Sequence, residues 1–279
     1  MAEAPKSRWI AATRHAVLML FVLISVYPVI NVFSVSLRPG NRLRSTDLAV
    51  IPADWTLDSY QKLFTEQPFL QWLGNSLLVS LAVTLLGVGL AATGGYALSR
   101  YRFVGRKASM LAILTTQMFP ATMLLLPLYV MIAYLHLVNT FLGLLIFYTA
   151  TALPFCLWQM KGFYDTIPIS LEEAARMDGC SRWQTFVRVS LPLAVPGLVI
   201  TALFSFMTAW SEYIVAAQVL QERDMFTLPL GLKSFQASMS TEWGLYAAAS
   251  ILVSIPVVIV FMLLSRYLVS GLNMGGVKE

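Results

Sequence analysis

Six apolar runs, each long enough to cross a bilayer as a helix, divide this 279-residue chain. They cover about 15–37, 74–99, 109–133, 139–160, 191–219 and 245–269. A spanning helix needs about 20 mostly apolar residues. The expected fold is therefore an all-α integral membrane protein with six transmembrane helices in one domain, 1–279, with no linker or soluble domain. Composition agrees: 58% of residues are hydrophobic and 12% charged, whereas soluble domains carry roughly 25% charged residues.

The first run exceeds a signal-peptide core of about 7–15 residues and has no small-residue cleavage site after it, so it reads as a retained span. Several runs contain helix-disturbing prolines, namely Pro28, Pro120, Pro127, Pro154, Pro196 and Pro256. Each removes a backbone donor and kinks a helix, a defect that neighbouring helices or water can satisfy in a bilayer. Gly87, Ala91 and Gly95, with Gly94 beside them, form a flat face of small residues. That face serves either internal packing or a subunit contact.

Lys and Arg set the orientation. With both termini on one side, that side carries thirteen of them and the other six: Arg38, Arg42, Arg44, Lys62, Arg223 and Lys233. The richer side, with both termini, is expected to be cytoplasmic. The stretch "ISLEEAARMDGCSRWQTFVRVSLPL" (169–193) lies on it, between the fourth and fifth runs.

This loop is punctuated like a built element. Ser170 followed three residues later by Glu173 reads as a capping box. Gly179 supplies a left-handed stop, and Ser181 with Gln184 repeats the box. The second helix should end before Pro192, which disfavours helix at Leu191. Between the caps, Ala174 and Ala175 are small enough to enter a cleft, with Arg176 and Asp178 charged at its rim and Met177 an adaptable apolar contact. The loop is either a docking site for another protein or a hairpin lying on the membrane surface. Glu173 either meets a partner or only caps.

The chemistry of catalysis is missing from the sequence. No Gly-x-x-x-x-Gly-Lys-Ser/Thr loop is present, and His15 and His136 are too far apart for a HExxH site. There is no Gly-x-Ser-x-Gly elbow, and no basic tract interleaved with aromatics that would suggest nucleic acid. The two cysteines, Cys156 and Cys180, read as free thiols. One acid falls within a run: Glu212, beside Trp210, Ser211 and Tyr213. An acid in a span faces a bundle interior or water. These four residues line a sugar path, or Glu212 makes a structural hydrogen bond to another helix, or it lies near the surface. A secondary transporter would show more ion-coupling charges and internal repeats.

Glu173 to Gly179 ("EAARMDG") followed by Val189 to Pro192 ("VSLP") resembles the EAA signature of permease subunits of bacterial ABC importers, with Val189 in place of the usual Ile. "QMFPA" (117–121), "WQMKGFYDTIP" (158–168), "LPLAVPGL" (191–198) and "GLNMGGVKE" (271–279) resemble the MalG-type, maltose-like branch. The resemblance implies a non-catalytic inner-membrane subunit importing maltose, maltodextrin or a related α-glucoside, or another sugar such as trehalose. It implies a second, larger MalF-like permease, two copies of a MalK-like ATPase and a soluble sugar-binding protein. ATP and Mg would be used by the ATPase, with no cofactor on this chain. It also implies a coupling helix in the loop after the fourth span, docking on the ATPase through Glu173, Ala174, Ala175, Arg176, Asp178 and Gly179. The tail residues Gly275, Gly276, Val277 and Lys278 would insert between the ATPases.

Overall fold

The computed structural model describes residues 8–43, 50–236 and 241–274. Thirteen α-helices are described: α1 (Arg8–Ser36), α2 (Asp58–Thr65), α3 (Phe69–Arg100), α4 (Arg106–Thr116), α5 (Ala121–Tyr134), α6 (Phe141–Thr166), α7 (Ile169–Met177), α8 (Arg182–Thr185), α9 (Leu191–Leu193), α10 (Val195–Ser211), α11 (Ile214–Val219), α12 (Leu228–Ser234) and α13 (Trp243–Met274). A π-helical turn, Phe186–Ser190, joins α8 to α9. Among the described residues the sole β-type pairing is one isolated bridge, Gln236 with Thr241. The all-α membrane class read from the sequence holds.

The six apolar runs are helical, but two of them are not continuous spans. Among the described residues four helices are long and apolar enough to cross a membrane: α1 from Ile10, α3, α6 and α13. A fifth is obtained if the segments Arg182–Leu193 and Val195–Ser211, bent by 76°, count as one. The third run is divided between α4 and α5, of 11 and 14 residues. The break falls after Gln117, and Pro120, with ψ 125°, starts α5. Proline suits a helix start because its missing N–H is not needed there. The fifth run is interrupted at Ala194 and again at Glu212–Tyr213. The last helix runs on to Met274, beyond the end near Val269 that hydropathy suggests.

The chain forms two compact units, 1–68 with 232–254, and 69–231 with 255–279. In the first unit the Ser36 and Tyr60 hydroxyls are 2.9 Å apart, and Asn41 donates to the Thr241 carbonyl at 2.7 Å. The second unit is built on α3, α6 and α10. Small residues permit their close approach: a Cβ on Gly87 would lie 2.9 Å from Ser205 Oγ, and one on Gly95 would lie 2.8 Å from Met160 Cβ. The small-residue face of α3 therefore serves internal packing. Around it Ala91, Ala152, Cys156 and Met160 are fully buried. Between α5 and α6 the backbone is left-handed at His136 and Asn139. There Asn139 Oδ1 accepts from the backbone N–H groups of Gln221 and Glu222.

Candidate functional site

The loop 169–193 is a helix, a tight turn and a second helix, as its punctuation suggests, but its first cap differs. Pro168 (φ −58°, ψ 128°) is the N-cap of α7, which places Ser170 inside the helix and leaves no side-chain cap. The Ser170–Glu173 capping box does not form, because Pro168 starts the helix two residues earlier. The stop does form. Gly179 has φ +88°, its N–H donates to the Arg176 carbonyl at 3.1 Å, and the N–H of Cys180 donates to Ala175 at 3.0 Å. This pair of bonds is the Schellman closure that a left-handed glycine permits.

The second box also forms: Gln184 N–H donates to Ser181 Oγ at 3.3 Å, and Ser181 N–H to Gln184 Oε1 at 2.8 Å. The helix then runs through Leu191 rather than ending before it. The π turn closes with Leu191 N–H bonded to the Phe186 carbonyl, and Pro192 falls in the first turn of α9. The chain bends at Ala194 instead.

Glu172, the residue before the EAA signature, holds this loop to the body. Its side chain is 1% exposed, and its Oε1 lies 2.7 Å from Arg100 Nε, whose side chain is 8% exposed. The Ser190 hydroxyl donates to the same oxygen at 2.9 Å, and the Tyr96 hydroxyl to Oε2 at 3.0 Å. Arg100 also donates to the Ile167 carbonyl at 2.9 Å and to Ser99 Oγ at 3.1 Å. Desolvating two charges is costly unless geometry and further hydrogen bonds offset it, and here every nitrogen of the guanidinium and both carboxylate oxygens have a partner. One carboxylate thus joins the C-terminus of α3, the start of α7 and the π turn, while its arginine reaches the end of α6.

The opposite face of α7 is open. Glu173, Ala174, Arg176, Asp178 and Gly179 are exposed and Ala175 half-buried. Met177 is 88% exposed, and Trp183, across the turn, 66%. Each of the expected docking residues is thus accessible, Ala175 only partly, and Glu173 has no capping role.

The second expected group is not gathered into one lining. Trp210 is buried and stacked on Phe206 at 5.4 Å. Ser211 is exposed and donates to the Met207 carbonyl. Glu212 is the extended residue between α10 and α11. Its carboxylate accepts from the N–H groups of Val215 at 2.9 Å and Ala216 at 3.3 Å. It also accepts from the Tyr148 hydroxyl at 2.7 Å. Of the alternatives left open by sequence, the structure contains the hydrogen bond to another helix, and Glu212 also caps α11. Tyr213 is exposed. The tail residues Gly275, Gly276, Val277 and Lys278 lie outside the described residues. Among those described, no cluster of His, Cys, Asp and Glu could hold a metal ion.

Long apolar helices and a helix-turn-helix held to them by a buried ion pair define a helical membrane protein. Residues 83–274 match the family model described as binding-protein-dependent transport system inner membrane component, and the chain belongs to that family. It is 36% identical to the inner membrane ABC transporter permease protein YcjP of Escherichia coli K12, over 94% of each chain. It is 36% identical to the diacetylchitobiose uptake system permease protein DasC of Streptomyces coelicolor, over 91% of this chain and 92% of that one. With the maltodextrin transport system permease protein MdxG of Bacillus subtilis it shares 34%, over 94% of each. The crystal structure of a bacterial ABC transporter involved in the import of the acidic polysaccharide alginate contains a chain that superimposes with TM-score 0.80 at 26% identity. That match covers 96% of this chain and 99% of the other. The protein is thus a multi-pass inner-membrane permease of the MalG-like group, a transport subunit and not an enzyme.

Glu172 and Arg100 were not singled out by sequence. The signal available was an acid on a short amphipathic helix and an arginine at the end of a span, 72 residues apart, and nothing local links the two.

Proposed function

We propose that this chain is one of two permease subunits of an ATP-driven sugar importer for maltose, maltodextrin or a related α-glucoside. A larger permease, two copies of an ATPase and a soluble sugar-binding protein complete the assembly. Both termini and α7 face the cytoplasm, as the distribution of Lys and Arg favours. The ATPase docks on the exposed face of α7 through Glu173, Ala174, Ala175, Arg176, Asp178 and Gly179. ATP and Mg belong to the ATPase, and the tail Gly275–Lys278 contacts it. The observation that carries this reading is that α7 is fixed by one buried side chain, by a Schellman stop and by the following capping box, while its other face is left open. Ordering a short helix that is marginal alone has a purpose when a partner must find it preformed.

The sugar path is drawn past the break between α10 and α11. There Ser211 and Tyr213 are exposed, with buried Trp210 behind them, and Glu212 holds the break open. Interrupted membrane helices supply polar groups where a substrate passes. Relatives named for diacetylchitobiose and maltodextrin are similarly close, so the sugar is identified by assay. ATP-dependent uptake in proteoliposomes of the whole complex is measured against a panel of labelled α-glucosides, including maltose and trehalose, with a chitobiose control. Uptake of an α-glucoside, abolished by Ala174→Trp, is expected. Uptake unaffected by Ala174→Trp contradicts the docking surface, and preference for the chitobiose control contradicts the assigned sugar.

A further inference from the structure

Helix α7 is attached in an unusual way. Its buried face consists, among the described residues, of Glu172 alone. A docking element that only had to stay in place would be fastened by apolar side chains, because burial of apolar surface is non-directional and tolerant of small displacements. A carboxylate hydrogen-bonded from three sides is different. Its bonds weaken steeply with misalignment, and a buried charge stripped of its partners is strongly unfavourable. The joint therefore transmits a displacement of α7 or lets go altogether, and it does not yield gradually.

Its connections also point into the membrane region. Tyr96 and Arg100 are the last turns of α3, a 32-residue helix. Ser190 closes the π turn that feeds α9 and, through the bend at Ala194, α10. Ile167, which accepts from Arg100, is the C-cap of α6. The ends of α3 and α6 thus meet at one ion pair, and α10 is joined to it through the π turn and α9. Aromatic rings pack beside it, Tyr96 against Phe186 at 4.7 Å and Tyr96 against Tyr164 at 5.5 Å.

Resting on the docking of the ATPase at α7, we infer that the Arg100–Glu172 pair is the positioning joint through which movement of the docked helix reaches α3 and α10. Glu172 sets coupling and does not itself make the docking contact.

The test uses the whole reconstituted complex. Three quantities are measured in proteoliposomes: co-purification of the ATPase, ATP hydrolysis, and sugar moved per ATP hydrolysed. The informative variant is the double replacement Arg100→Leu with Glu172→Leu. It fills the site with apolar groups and leaves no unpaired charge, but it removes the directional bonds. Glu172→Gln is the companion, isosteric and uncharged. The expected result is a complex of ordinary thermal stability that retains its ATPase, with sugar moved per ATP lowered at least tenfold in the double variant and less in Glu172→Gln. A double variant that couples as well as the parent overturns the inference, because a mere fastener is replaceable by apolar packing. A stable double variant that has lost its ATPase overturns it too, because Glu172 would then serve docking itself. Ala174→Trp separates this from the underlying reading. If that variant keeps both its ATPase and its uptake, the docking surface is wrong, whatever the Glu172 variants do.

Discussion

Glu172 and Glu212 are both carboxylates at junctions between helices of the same unit, yet they are held by different means. Glu172 is fully buried and lies against a guanidinium, with two hydroxyls completing its shell. Glu212 is half-buried and has no cation within bonding distance among the described residues. Its partners are two backbone N–H groups at the start of α11 and the Tyr148 hydroxyl. A carboxylate is tolerated away from water when hydrogen bonds or countercharge replace its hydration. A full countercharge permits complete burial. The N–H groups of a helix start permit only partial burial, because their charge is fractional. The first arrangement ties distant elements together and breaks at high cost. The second stabilises a local break in one helix and is weaker.

That contrast predicts a ranking of effects. Arg100→Met, made alone, leaves the Glu172 carboxylate buried without its countercharge. It should cost about 3–5 kcal/mol, visible as a large drop in the thermal unfolding temperature of the detergent-solubilised complex. Adding Glu172→Leu to it should restore most of that stability. A single variant as stable as the parent would mean that water reaches the site and that the pair is not sealed.

Gly179→Val comes next. A β-branched residue at φ +88° is held in a backbone region that costs of order 1–3 kcal/mol. No neighbouring atom crowds that position, so the effect should fall on the turn alone. Membrane insertion and expression should be unchanged, while retention of the ATPase and sugar uptake fall. Normal uptake at normal expression would show that the turn adapts.

Glu212→Ala should be milder, about 0.5–2 kcal/mol for loss of a cap, and Glu212→Gln should recover much of it, since an amide oxygen still accepts from Tyr148 and from Val215 N–H. Thermal stability and uptake are to be read together for both variants. Lost uptake at full stability, equal in Ala and Gln, would move Glu212 from the structural role seen here to direct contact with the sugar. Ser181→Ala should have the smallest effect, about 1 kcal/mol, because it removes one cap bond from an exposed turn.

The same contrast explains what could be read in the sequence. Gly179 and the Ser181–Gln184 box were legible because each is satisfied within a few residues of itself. Glu172 was not, since its partners lie on α3 and in the π turn, and its neighbour Glu173 matched the local capping pattern better. That pattern failed because Pro168 begins the helix earlier than Ser170 would. Hydropathy located all six apolar runs but could not show that two are interrupted. It registers apolarity along the chain, whereas the breaks at Gln117–Pro120 and Glu212–Tyr213 are matters of backbone direction. The role of Glu212 as a cap became visible only with the start of α11.

The proposed position of α7, in the cytoplasm and covered by the ATPase, can be probed by labelling Ala174→Cys, in a background carrying Cys156→Ala and Cys180→Ala, with a membrane-impermeant maleimide. Right-side-out and inside-out vesicles are compared, with and without the ATPase bound. Labelling is expected only in inside-out vesicles, with protection there when the ATPase is present. Labelling in right-side-out vesicles, or equal labelling of inside-out vesicles with and without the ATPase, would contradict it.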